Sequence, residues 1–176
     1  MSYLREIAPQ NASGRLAEIY ATFERELGFI PKAFRMASVS PELLAQHWDY
    51  LRYYLAHPTL SRRLTAAIRL LVSQLKGCDY CIGLNRGILL QQGVSPGELR
   101  AMERDPAQAP LNEKEKALLL FTLKGVRDPH TVIEADLDAL RQLGWTDSEI
   151  FDALHHGARQ VAFDILIDAF GVEPEH

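Results

Sequence analysis

Signals that start helices recur along this chain, and apolar residues at helical spacing follow each of them. Ser40-Pro41 and Ser95-Pro96 each place a hydroxyl at an N-cap and a proline at the first helical position. Residues 131–134 and 146–149 have the pattern of capping boxes, and residues 112–115 are a near equivalent that uses Asn. Because no segment shows the alternation of a strand, we expect an all-α fold.

The predicted helices fill most of the chain. They lie near residues 13–27, 41–56, 61–76, 79–92, 96–104, 113–126, 132–143 and 147–170, with a short turn near 32–38. A length of 176 residues is enough for one large core and short for two. We therefore expect a single helical domain over residues 1–176.

The composition favours an ordinary soluble globular protein. Hydrophobic residues make up 47% of the chain, charged residues 24%, and the net charge is -4. The basic residues are scattered and have no interleaved aromatics, which disfavours nucleic acid as a partner. The N-terminus lacks the basic and apolar regions of a secretory signal, so we expect a cytoplasmic protein with no membrane partner.

Cys78 and Cys81 are the only cysteines, and their Cys-x-x-Cys spacing at a predicted helix start favours redox chemistry. Cytosolic structural disulfides are rare, so a close pair is more typical of a catalytic or metal site. Two alternatives remain open. The thiols could bind zinc with His155 and His156, or they could be two small buried hydrophobes.

The helix start suggests a role for each sulfur. If the helix begins at about residue 77 or 78, free amides and the helix dipole should stabilise an anion at Cys81 and lower its pKa. Cys81 would then be the nucleophile, and Cys78 would condense with an oxidised Cys81 to form a disulfide. An external thiol reductant protein or small dithiol must restore the pair, and no cofactor is needed.

Several stretches besides the cysteine pair carry a family resemblance, namely residues 28–35, 41–44, 70–75 and 169–174. With these, the chain resembles the alkyl hydroperoxidase D (AhpD)-like group of the carboxymuconolactone decarboxylase family, in particular its peroxidase-related branch. The resemblance implies an AhpD-like helical bundle, homo-oligomers and reduction of peroxides. It also implies that Cys81 forms the sulfenate and that Cys78 is the proton donor and resolving thiol.

Two positions depart from the family pattern. The histidine that usually follows the second cysteine by one turn is Asn85, and the usual glutamate before the first cysteine aligns with Ala66. No Asp or Glu lies between Asp49 and Asp79, so the helix that enters the motif supplies no carboxylate. Acid-base assistance contributes about 10²–10⁴-fold, so this loss predicts a slow peroxidase unless another group substitutes.

His155 is the predicted substitute, because a 3.6-residue period places it on the apolar face of the last helix with Phe151 and Ile165. A core histidine bonded to a backbone carbonyl is the alternative role for it. Arg69 and Lys76 could favour a thiolate by charge, although we expect both to be solvated. The aromatic face at residues 48–54 fits a subunit interface, which we favour, or a substrate pocket.

Together these features predict a thiol-dependent oxidoreductase that acts on a small peroxide or disulfide. The candidate site residues are Cys81, Cys78, Asn85 and His155. The alternative is a catalytically weakened, redox-sensing or small-molecule-binding oligomer. A lactone decarboxylase is disfavoured, since that chemistry has no use for a redox pair.

Overall fold

The structure is a computed structural model that describes residues 2–175, and its regular elements are all helical. The α-helices are α1 (Gly14–Leu27), α2 (Lys32–Ala37), α3 (Pro41–Leu55), α4 (Arg62–Lys76), α5 (Asp79–Gln91), α6 (Pro96–Arg104), α7 (Glu113–Arg127), α8 (Glu134–Gln142) and α9 (Asp147–Ala169). Short 3₁₀ turns lie at Pro9–Asn11, Pro106–Gln108 and Pro129–Thr131. Each predicted helix is present, and the predicted turn near 32–38 is α2.

Most of the predicted caps form. Ser95 and Thr146 make the two reciprocal hydrogen bonds of a capping box, and the Asn112 side chain accepts a bond from the Glu115 amide. The capping box predicted at Thr131 is wrong, because Thr131 ends a 3₁₀ turn and α8 begins after Ile133. Ser40 stands at the N-cap of α3, but its hydroxyl accepts no capping bond.

Helix α4 lies at the centre of the packing, in contact with α5, α7 and α9. Its central segment is almost wholly buried and joins the main core cluster, whereas α1 and α3 pack against each other around a second cluster. A third cluster contains both cysteines and Val172 from the C-terminal segment. No helix among residues 2–175 is long and apolar enough to cross a membrane.

The orientation predicted for α9 is wrong. The apolar face with Phe151 and Ile165 is exposed, at 68% and 58% respectively. The buried face of α9 is instead small or polar at its centre, where Gly157, Gln160 and Asp164 lie. The physical reason is close packing. A Cβ atom at Gly157 would meet methyl groups of α7 at 2.9 Å, so only a glycine allows α7 and α9 to approach this closely.

Candidate functional site

The turn between α4 and α5 places the cysteine pair. Gly77 ends α4 in the left-handed conformation, with φ of 76°, which is accessible to glycine at low cost. Cys78 follows as the N-cap of α5, although its side chain makes no capping bond, and Cys81 is the third helical residue. The sequence therefore placed Cys81 correctly in the first turn of a helix.

Both cysteines are free, buried thiols, with Cys78 0% and Cys81 2% exposed. Their Sγ atoms and a carboxylate oxygen of Asp164 all lie within 4.8 Å of one another. A disulfide requires the sulfurs to approach to about 2 Å, which small side-chain and backbone adjustments at this spacing can supply. The two thiols are thus placed to form a disulfide and to be reduced again.

Asp164, on α9, is the group that sequence reasoning missed. Its Oδ1 accepts hydrogen bonds from Ser73 Oγ at 3.0 Å and from Gln160 Nε2 at 2.7 Å. Its Oδ2 is buried and has no hydrogen-bond partner. A buried carboxylate that is held by one oxygen and free at the other is suited to accept a proton from a neighbouring thiol.

The electrostatics of the thiols differ from the sequence-based expectation. The polar contact with Cys78, burial and the nearby Asp164 all raise the pKa of Cys81, whereas the helix start had predicted a lowered value. Burial also raises the pKa of the Asp164 carboxyl, against the opposing polar contacts with Cys81, Gln160 and Ser73. At neutral pH the thiol thus keeps its proton until a base removes it.

Asn85 lies one turn after Cys81 and is 2% exposed. Its Nδ2 donates to the Cys81 carbonyl oxygen at 2.8 Å, and its Oδ1 is buried without a partner. Asn85 therefore supports the backbone of the motif and offers one free acceptor. Ala66, at the position of the family glutamate, is fully buried in the core.

The structure reverses the predicted positions of the two histidines. His155 is exposed and its Nδ1 lies 3.0 Å from the Tyr54 hydroxyl, so the prediction that it points inward is wrong. His156 is the buried one. Its Nε2 is 3.2 Å from the Thr65 carbonyl oxygen, which can only accept, so its Nδ1 accepts the Tyr50 hydroxyl proton at 2.6 Å.

His156 is the core histidine bonded to a backbone carbonyl that had been considered for its neighbour. Burial holds the pKa of His156 well below the usual range, so the ring is neutral. Among residues 2–175, the cluster of possible metal ligands around the thiols contains Asp164 and no histidine. The alternative of a zinc site made by both cysteines and both histidines is therefore not supported by this arrangement.

Two buried polar stripes face each other across α4 and α9. Residues Thr65, Arg69 and Ser73 follow each other at four-residue spacing on α4, and His156, Gln160 and Asp164 do so on α9. Hydrogen bonds join the stripes at both ends, between Thr65 and His156 and between Ser73 and Asp164. Ser73 and Gln160 are joined as well, so the two helices share a connected polar layer inside an otherwise apolar interface.

Arg69 is the member of these stripes without a partner. Its Nε is buried and makes no hydrogen bond, and burial lowers its pKa. The expectation that Arg69 is solvated is wrong, whereas Lys76 is exposed as expected. Arg69 lies close enough to Cys81 and Tyr50 that a thiolate or phenolate formed there would interact with its guanidinium.

A cavity of about 510 Å³ reaches the motif. Cys81 and Asn85 line it, while Cys78 and Asp164 do not, so a bound molecule meets the sulfur of Cys81 first. Trp48, Tyr50 and Tyr54 from α3 also line it, which agrees with the substrate-pocket alternative for the aromatic face. The cavity includes exposed residues and is thereby open to the surface.

Comparison with known proteins agrees with this architecture. Residues 41–124 match the model of the carboxymuconolactone decarboxylase family. An alkyl hydroperoxide reductase from Mycobacterium tuberculosis is 29% identical over 93 residues, which are 53% of this chain and 27% of that protein. The match therefore spans about a quarter of the length of that relative.

Solved structures share the fold. An alkylhydroperoxidase AhpD core, an uncharacterized peroxidase-related protein from Ralstonia eutropha JMP134, superposes with a TM-score of 0.88 at 22% identity, over 99% of this chain and 92% of that chain. The debrominase Bmp8 superposes with a TM-score of 0.79 at 19% identity, over 97% and 90%. The match to that family model over residues 41–124 and the common fold confirm the resemblance: the chain is similar to the carboxymuconolactone decarboxylase family and has an AhpD-like all-helical fold.

Proposed function

We propose that this protein is a thiol-dependent oxidoreductase of the alkyl hydroperoxidase D type. The observation that supports it most is the cluster of two free sulfurs and one buried carboxylate oxygen within 4.8 Å, at the wall of a cavity. The relative named as an alkyl hydroperoxide reductase agrees with this chemistry. Asp164 takes the place of the missing family relay as the proton acceptor.

The first half-reaction oxidises Cys81. The Cys81 thiol gives its proton to Oδ2 of Asp164, and the sulfur attacks the terminal peroxide oxygen of ROOH as the O–O bond breaks. The leaving alkoxide takes up a proton from water in the open cavity, because Asp164 does not line it, and Asp164 releases its own proton to solvent before the next cycle. The products are a Cys81 sulfenic acid and ROH, and the peroxide has been reduced by two electrons.

The second half-reaction closes the disulfide. The Cys78 thiol attacks the Cys81 sulfur, an S–S bond forms, and the sulfenic oxygen leaves as water with the thiol proton. Cys78 lies behind Cys81 as seen from the cavity, so it is shielded from the peroxide and close to the sulfenate. A dithiol then reduces the disulfide by exchange and regenerates both thiols.

The experiment measures hydroperoxide consumption with dithiothreitol as reductant. Wild-type protein should turn over, and Cys81→Ser should not. Without dithiothreitol, Cys78→Ser should be oxidised once by the hydroperoxide and accumulate a sulfenic acid that dimedone traps at Cys81, as mass spectrometry would show. Equal consumption by wild type and Cys81→Ser, or dimedone labelling of Cys78 in wild type, would contradict these roles.

The second candidate is a weakened family member that binds small molecules and senses redox state. The aromatic cavity and the raised pKa of Cys81 favour it. It predicts that wild type consumes no hydroperoxide with a dithiol, while ligand binding survives in Cys81→Ser. A disulfide as the substrate, homo-oligomers and a cytoplasmic location stay predictions. Sedimentation of the purified protein tests the oligomers.

A further inference from the structure

The charges that line the cavity are unbalanced. Arg62, Arg69 and Arg159 line it, and Glu26 is the acidic residue among its described lining residues. The histidine at position 47 adds no charge at neutral pH, because burial and the two nearby arginines lower its pKa to about 4. A cavity with a net positive charge thus occurs in a chain whose net charge is -4.

Two of these guanidinium groups lack an anionic partner. Among residues 2–175, Arg69 and Arg159 form no ion pair and donate no hydrogen bond, whereas Arg62 donates to the Leu55 carbonyl oxygen. Arg159 lies over the Tyr50 ring, 4.9 Å from its centroid. Arg159 is exposed, whereas Arg69 is half-buried with its Nε fully buried. A guanidinium withdrawn from water without a counter-ion is costly, so the presence of Arg69 at a cavity wall points to an anion that is supplied from outside.

The rest of the wall is apolar and aromatic. Phe34 and Trp48 line one part, and Phe163 stacks on His47 with ring centroids 4.2 Å apart. A volume of about 510 Å³ is in the range of pockets for small organic molecules. The molecule that fits both features has an apolar, ring-sized body and one negative group.

We propose that the cavity selects anionic organic substrates, and that Arg69 binds their carboxylate while Cys81 reduces their hydroperoxide group. This rests on the proposed function for the chemistry, which is unchanged: ROOH becomes ROH, and two thiols become a disulfide and water. Arg159 lies on the same cavity and contributes a second positive charge. Neither arginine takes part in bond making, so the selectivity is separable from the reaction.

Binding is tested with redox-inert ligands. Calorimetry with 2-naphthoate and its neutral isostere 2-naphthamide should show that wild type binds the carboxylate about tenfold more tightly or better, as expected for a charge-assisted hydrogen bond. Arg69→Met and Arg69→Gln should reduce this ratio to near one and leave naphthamide binding unchanged, which also shows that the variants fold. Arg63→Met is the matched control, since Arg63 is on α4 outside the cavity and bonds the Gln92 carbonyl oxygen.

Kinetics then separate selectivity from reactivity. Wild type should have a higher kcat/KM for a para-carboxylate derivative of cumene hydroperoxide than for cumene hydroperoxide, and Arg69→Met should remove the difference. Equal loss on both peroxides would overturn the inference, because Arg69 would then act on Cys81 itself. Equal binding of naphthoate and naphthamide by wild type would also overturn it and leave the peroxidase proposal standing. Selective binding without peroxide consumption would instead refute the peroxidase step and keep the anion site.

Discussion

Replacing Asp164 by Asn separates its proposed chemical role from its structural one. The Asn side chain keeps an oxygen that can accept the bonds from Ser73 and Gln160. It loses Oδ2 as a base, and among residues 2–175 the cluster at the thiols contains no other carboxylate or histidine. We therefore expect the rate with hydroperoxide at pH 7 to fall by about 10²–10⁴-fold, or about 3–5 kcal/mol in activation free energy.

The pH profile gives the signature of this role. Because the pKa of Asp164 is raised above its usual range, wild type should lose activity on the acid side as that carboxyl takes up a proton. Asp164→Asn should lack this limb. Its activity should instead rise steadily toward alkaline pH, since the thiolate of Cys81, whose pKa is also raised, must then form without a base.

Stability should change in the opposite direction to activity. The folded-state pKa of Asp164 lies above the unfolded value of about 3.9, so its contribution to folding is fully present below that pH and is lost as pH rises through the folded pKa. Asp164→Asn should therefore have a higher free energy of unfolding than wild type at pH 7, measured with urea, and less advantage at pH 4. Asp168→Asn, exposed one turn later, is the comparison: because the charge of Asp168 contributes to the raised pKa of Asp164, this variant should move the acid-side loss of activity to lower pH without removing it. A destabilised Asp164→Asn with unchanged kinetics would refute the reasoning.

Three further predictions concern the contact between α7 and α9, the Ser73–Asp164 hydrogen bond and the buried His47. Gly157→Ala should lower the free energy of unfolding, measured in urea, by about 1–3 kcal/mol, because its Cβ would meet two methyl groups of α7 at 2.9 Å. Gly87→Ala is the control: its Cβ would meet nothing within 4 Å, so this change should stabilise α5 by about 0.5–1 kcal/mol. Ser73→Ala removes a hydrogen bond that lowers the pKa of Asp164, so the loss of activity on the acid side should occur at higher pH than in wild type. An unchanged pH for this loss would exclude the effect of Ser73 on Asp164. His47 should titrate near pH 4 by NMR. Because the unfolded residue takes up its proton near 6.5, the free energy of unfolding should decrease as the pH is lowered from about 6.5 to about 4; a midpoint near 6.5 would contradict its burial.

Several helices were predictable because the local sequence contains the residues that start or end them. Ser95 and Thr146 form their capping boxes, and Gly77 ends α4, so local sequence alone determined these boundaries. The start of α8 was missed because Thr131 has the right pattern but is used in a 3₁₀ turn. The same residue can form either a helix cap or a 3₁₀ turn, and the surrounding packing determines which of the two forms. A single sequence does not show that packing.

The cysteine pair of the site was predictable from the sequence, whereas its carboxylate was not, because the position of Asp164 depends on long-range packing. Cys78 and Cys81 are neighbours in sequence, so their proximity follows from helix geometry. Asp164 is 83 residues from Cys81 in the numbering, and only the packing of α9 on α4 brings them together. The helical wheel of α9 failed because it assigned the more apolar stripe to the core, whereas the core here takes the stripe of His156 and Asp164.

The four-residue spacing of those polar residues was nevertheless visible in the sequence. Three polar side chains of α9 are buried opposite Thr65, Arg69 and Ser73, where apolar residues would stabilise the interface more. Packing alone therefore gives no reason for polar residues at these positions. The proposed function gives one, because the α9 stripe ends at the thiols with the carboxylate of Asp164 and the α4 stripe passes the cavity with the unpaired guanidinium of Arg69. The missing Glu and His of the motif therefore do not by themselves indicate an inactive protein. A chain that lacks a Glu and a His on the helices of its cysteines can still place a carboxylate beside them from a helix far along the sequence.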